Sequence, residues 1–141
     1  MGYAMNYLSA AEMMDEIAAL TPTFENVSFE FLDKVGSVQW PCNDDAPMGT
    51  PIIAIADGRV MLAEELAIRG GYTLIDHGWG IYSGYAHLSE RTVVPGQWVK
   101  QGEVIGYVGA TGNTSVNHLH FQLHPGGGSP VNPYPYVRAV C

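Results

Sequence analysis

Turn chemistry recurs so often along this chain that only short strands fit between the turns. Asp57-Gly58, Gly70-Gly71, Gly78-Trp79-Gly80, Pro95-Gly96, the run Gly109 to Asn113 and the run Gly126 to Pro130 each place glycine, proline or asparagine where a chain reverses. Between these points the hydrophobic period is two. Val27, Phe29 and Phe31 share one face of an extended segment, and further candidate strands run from Pro51 to Ala56, Arg59 to Ala63, Tyr72 to Asp76, Ile81 to His87, Val104 to Val108 and His118 to His124. Short strands joined by tight turns pair with their neighbours. The expected fold is therefore mainly β, a twisted antiparallel sheet with a sandwich-like or small-barrel form.

One segment breaks the pattern. Ser9-Ala10-Ala11-Glu12 reads as a capping box, and Leu8, Met13, Met14, Ile17 and Leu20 fall on one helical stripe that Thr21-Pro22 ends. This predicts one short N-terminal packing helix, so residues 1–34 divide off as helix and lead-in strand and residues 35–141 form the main body. A weak echo links Gly49-Thr50-Pro51-Ile52 through Asp57-Gly58-Arg59-Val60 with Gly96-Gln97-Trp98-Val99 through Gly102 to Gly106, both reading as strand, glycine turn, strand. The proline-rich stretch Pro130 to Tyr136 cannot enter a central ladder and is expected as an extended tail across the surface.

The 141 residues suit a single core. With 14 acidic against 6 basic residues the net charge is −8, which argues against nucleic acid or an anionic membrane surface as partner. No apolar run reaches the roughly 20 residues needed to span a bilayer, and Met1 to Met5 lacks the basic and apolar regions of a signal peptide, so membrane insertion is not expected. Cys42 and Cys141 permit one disulfide, if their geometry and redox environment allow it.

The sharpest chemical signal is Asn117-His118-Leu119-His120-Phe121-Gln122-Leu123-His124. Alternation sends Leu119, Phe121 and Leu123 to one face and His118, His120 and His124 to the other. Imidazoles two residues apart stand about 7 Å apart along a strand, which lets one bind a metal while its neighbour holds a proton beside the attacking water. A strand face that merely happens to be rich in histidine would look the same. A third histidine, His87, is expected at the end of its strand on the lip of a loop, where active groups are common. His77, in the turn after Asp76, reads as structural or exposed.

Gly49-Thr50-Pro51, Asp57-Gly58, Asp76-His77-Gly78, Tyr85-Ala86-His87-Leu88-Ser89, Gly109-x-Thr111-Gly112-Asn113 and His118-Leu119-His120-Phe121 occur in an order and spacing that resembles the lysostaphin/LytM-type zinc endopeptidases, enzymes that cut peptidoglycan cross-links. The resemblance covers about Val35 to Tyr136, and Val131-Asn132-Pro133 is similar to that family's ending. It implies a duplicated hybrid motif of twisted antiparallel strands with a groove for peptide. It also implies His120 as a zinc ligand, His87 and His118 as the pair that activates water and stabilises the transition state, and Tyr85, Asn113 and Asn117 along the groove. The family's other two ligands are a His and an Asp four residues apart, and counting back without gaps from Gly49 puts Gln39 and Asn43 in their places. Amide oxygens bind zinc far more weakly than imidazole or carboxylate. Zinc is accordingly expected to be weak or absent. A one-residue gap would bring Asp44 to the carboxylate position but Trp40 to the other, so substitute ligands, if any, would be Cys42 and Asp44.

Three functions follow. The chain is a degenerate relative that holds cell-wall peptide, or a protein partner, without cutting; or it is a working zinc endopeptidase; or it is a biotinyl- or lipoyl-type carrier, suggested by Pro95-Gly96-Gln97 through Ile105. The carrier reading needs a lysine at an exposed hairpin tip, and Lys100 is in the wrong place for it. The first two imply an extracellular, cell-envelope or virion setting.

Overall fold

The computed structural model describes residues 23–25, 27–33, 36–41, 48–114, 117–124 and 138–140, with backbone pairing alone described before residue 48 and after residue 137. The expected helix over 9–20, the proline-rich tail and the possible Cys42–Cys141 bond lie outside these residues. The strands are β1 (Thr23–Glu25), β2 (Val27–Asp33), β3 (Gly36–Pro41), β4 (Pro51–Ile53), β5 (Gly58–Leu66), β6 (Gly70–Asp76), β7 (Tyr82–Arg91), β8 (Trp98–Val99), β9 (Val104–Val108), β10 (Leu119–His124) and β11 (Arg138–Val140). Nine of them form one sheet in the order β3-β2-β10-β7-β6-β5-β8, with β9 joined to β7 and β4 to β9; β1 and β11 pair separately. The fold is mainly β and mostly antiparallel, with β10 running parallel to β2.

The weak sequence echo has a structural meaning. The β4-turn-β5 segment and the β8-turn-β9 segment clasp each other, because β4 pairs with β9 and β5 with β8. Reciprocal bonds lock the clasp: Val60 N–H donates to Gln97 O and Gly96 N–H to Val60 O, while Ala54 N–H donates to Glu103 O and Gly102 N–H to Ala54 O. Ile52, Ile55, Ile75, Ile81, Tyr85, Leu88, Ile105, Leu119 and Phe121 are fully buried in one core. Each large apolar side chain of this kind contributes about 1.5–3 kcal/mol relative to exposure.

The period-two expectation holds along β10, whose Leu119, Phe121 and Leu123 all join the core. Strand ends differ. β7 does not stop at His87 but continues to Arg91, because past Leu88 it exchanges its β6 partner for β9, pairing Glu90 with Tyr107 and Arg91 with Gly106. That exchange needs a bulge. Gly71 pairs with Leu88 and Thr73 with Tyr85, so β7 spends one residue more than β6 across the interval. His87 takes the left-handed backbone with φ 65°, uncommon outside glycine.

Candidate active site

The bulge explains how the site is assembled. On β7 Tyr85 points into the core and strict alternation would send His87 the same way, but the extra residue returns the chain to the core at Leu88 and leaves His87 on the opposite face. On β10 the cross-strand pairs His120 with Ala86, Gln122 with Gly84 and His124 with Tyr82 define that face, so His118 and His120 meet His87 there. The ring centroids of His87 and His118 are 5.0 Å apart, and those of His87 and His120 are 5.7 Å apart with the planes at 70°. A potential ligand nitrogen from each of the three lies within 4.8 Å of the others. All three side chains are buried.

His87 is held from two directions. Its backbone N–H donates to Arg69 O at 2.8 Å, and its Nδ1 donates to Thr111 O at 2.7 Å. A carbonyl can only accept, so in the neutral ring the proton sits on Nδ1 and Nε2 keeps a bare lone pair. Thr111 Oγ1 in turn donates to Leu88 O and accepts from Gly71 N–H, which ties the 109–113 loop to the bulge. The strain of the left-handed residue is thus fixed by its surroundings, the arrangement expected where backbone strain serves a site.

Burial dominates the electrostatics. Desolvation, followed by the positive field of His87, Arg69 and His118, pushes His120 down to about 3, so it is a neutral imidazole at ordinary pH. Desolvation also lowers His87, against the Thr111 hydrogen bond and together with His118 and Arg69. A polar line continues along β10: Gln122 Nε2 lies 3.4 Å from His120 Nε2, and His124 Nε2 donates to Gln122 Oε1 at 3.2 Å.

Not every expected residue reaches the groove. Tyr85 is a correction: it is fully buried in the core against Phe121, its hydroxyl accepting from Ile55 N–H. Asn113 is exposed, with its N–H donating to Ile68 O, and Asn117, half-buried, directly precedes His118. His77 is structural, wholly buried beneath the Gly78 turn. Gln39 lies on β3 opposite Glu30 of β2, and β2 is the neighbour of β10. Its side chain, like Asn43, Cys42 and Asp44, lies outside what is described. Arg69 carries no side-chain signature that would have flagged it, and Thr111, though part of a quoted motif, gave no sign that its carbonyl holds His87, since both reach His87 through backbone carbonyls.

A model of peptidase family M23 matches residues 43–133. The chain belongs to this family. The M23 domain is 43% identical over 82 residues to the cell division protein DipM of Caulobacter vibrioides, covering 57% of this chain and 14% of that protein. It is 41% identical over 78 residues to the peptidoglycan DD-endopeptidase ShyC of Vibrio cholerae, covering 55% of this chain and 18% of that one. These curated relatives are therefore several times longer than the segment the M23 domain matches. Among solved structures, a point mutant of the catalytic domain of the prophage-encoded M23 protein EnpA from Enterococcus faecalis superposes with a TM-score of 0.63 at 28% identity, covering 82% of this chain and 96% of that one.

The family is zinc-dependent, and the described donors can be tested against that metal. Three clustered imidazoles, one oriented by a carbonyl through its second nitrogen, are chemically suited to zinc. Any zinc here would be held by nitrogens of His87, His118 and His120, or by His120 together with residues outside the described set.

Proposed function

We propose that this M23 domain is directed at peptidoglycan and holds its peptide in the groove over β7 and β10, with zinc-dependent cleavage weak or absent. The observation that carries the groove reading is the convergence of His87, His118 and His120 on one face of β7 and β10. Family membership and the similarity to proteins named as peptidoglycan endopeptidases support the substrate class. Gln39 and Asn43, standing at the positions the resemblance assigns to a His and an Asp, support weak metal binding. A cell-envelope or virion setting follows from that substrate.

Zinc, when bound in such a centre, polarises the scissile carbonyl and acidifies water. With the metal held by His120 and residues outside the described set, the chain's own part is to accept a proton at His87 Nε2, to keep His120 neutral by burial, and to exclude bulk water from a buried cluster. On this reading the exposed Asn113 and the half-buried Asn117 would line the groove, as the resemblance implies.

A second reading, an active endopeptidase, is favoured by the three imidazoles themselves, which match the chemistry of a three-ligand site. One pair of measurements separates the two. Metal analysis after dialysis against trace zinc should give well under one equivalent, and purified sacculi should release no new peptide fragments above a buffer control. The double substitution Gln39→His with Asn43→Asp should then raise zinc affinity by at least about a hundredfold. Stoichiometric zinc in the native protein, with fragment release that a chelator stops, would establish the active reading instead.

A further inference from the structure

Among the described residues beside the histidine cluster, Arg69 has a side chain that neither fold nor metal chemistry accounts for. It is half-buried, it immediately precedes β6, and its carbonyl accepts the His87 N–H at 2.8 Å, so its backbone touches the site directly. Its guanidinium carbon lies 5.4 Å from the centre of the Tyr72 ring. Tyr72 is itself 6% exposed, and its hydroxyl sits where a side chain on Gly84 would otherwise be. The guanidinium is therefore laid on an immobile aromatic wall at the edge of the groove floor.

In a chain of net charge −8, a half-buried arginine would be expected to find a carboxylate. Among the described residues the one ion pair joins Arg91 to Glu65 at 2.9 Å. Glu64, opposite Tyr72 on β5, is exposed and makes no ion pair with Arg69. The segment that carries Arg69 is also rigid. Gly70 has φ 65° and packs against the Thr111 backbone, Gly112 packs against Gly70 N and Ile68 O, and Asn113 N–H donates to Ile68 O. A guanidinium fork with no carboxylate partner among the described residues, beside buried imidazoles, is suited to an anion supplied from outside.

We propose that Arg69 is the carboxylate-recognising residue of the groove, holding a peptide by a free carboxylate beside His87 and His120. The proposal rests on the peptide-groove reading above and adds the chemical class within it: a peptide that ends in, or carries, an unamidated carboxylate close to the bond that lies over the histidines. Arginine suits the task because two parallel N–H donors match a carboxylate, whereas the neutral amide of the same peptide offers one acceptor and no charge.

The test is an NMR titration of the whole chain with N-acetyl-D-alanyl-D-alanine as the free acid and as its C-terminal amide. The unmodified protein should bind the acid roughly tenfold or more tightly than the amide. In Arg69→Gln that preference should collapse to about one while affinity for the amide stays the same, and Arg69→Lys, which keeps charge without the fork, should fall between. Unchanged amide affinity also reports that the groove survives the substitution. Equal binding of acid and amide by the unmodified protein, or an undiminished preference in Arg69→Gln, would overturn the role of Arg69 and leave the groove reading standing. Failure to bind either peptide would overturn the groove reading and the assignment of Arg69 with it.

Discussion

Acidifying the protein from pH 7.5 to 4.5 is expected to remove about 2.5 kcal/mol of stability through His77 alone. The ring is completely buried, and desolvation lowers it from 6.5 to about 4, against the Asp57 carbonyl bond and the charges of Asp76 and Asp57. Its Nδ1 donates to Asp57 O at 2.8 Å, so as a neutral ring it accepts at Nε2 from Ser83 Oγ at 2.7 Å. Ser83 has a single proton, and once that is given to His77 the Tyr85 hydroxyl, 2.9 Å away, must donate to Ser83. Protonating His77 would reverse this buried chain. Because the folded value lies below the unfolded one, the unfolded chain takes up the proton first. The stabilisation is therefore complete above about pH 6.5, falls as pH drops and is exhausted near pH 4, for a total of about 3 kcal/mol. Urea unfolding at half-unit steps, with His77→Gln as the reference, isolates the effect. The variant loses a ring hydrogen bond, about 1–3 kcal/mol at neutral pH, but has no titrating group at this position. Carboxylates begin to titrate by pH 4.5, but their contributions, like the titrations of His87 and His120, are shared by both proteins and cancel in the difference. A difference between the two proteins that stays flat within about 0.5 kcal/mol across this range would refute the buried neutral assignment.

Gly70→Ala should cost at least about 2 kcal/mol, since a Cβ there would lie 2.3 Å from the Thr111 carbonyl carbon at a φ of 65°, whereas Gly102→Ala, at φ 85° with open space around it, should cost only about 1 kcal/mol. Thermal unfolding of both checks the ranking, and equal losses would contradict the tight docking of the 109–113 loop. His87→Gly removes the imidazole but relieves the left-handed backbone, so stability in urea should stay within about 1 kcal/mol while zinc or peptide binding is lost. A loss above about 3 kcal/mol would mean that the ring holds the fold together. Thr111→Val should cost about 2 kcal/mol by stranding Leu88 O and Gly71 N, and should also weaken peptide binding by loosening His87.

Much of this protein was legible before its coordinates. Alternation along residues 118–124 was enough to separate a core face from a histidine face, because a strand whose one side is buried has no freedom to slip its register. Glycine and proline marked the turns because few other residues tolerate those backbone angles, and the ordered motifs from Gly49 to Phe121 were enough to indicate the family. The echo between residues 49–60 and 96–106 was visible as well, though not that the two copies would clasp each other, since strand partners are chosen by long-range packing. On β7 alternation alone would mislead, because it says nothing of an inserted residue. The bulge that turns His87 toward His118 and His120, and buries Tyr85 instead, exists because β7 must serve β6 at one end and β9 at the other. Arg69, and the part that Thr111 plays within its motif, escaped notice for a related reason. They act on His87 through carbonyl oxygens that every residue possesses, so only the tertiary approach of three loops could single them out.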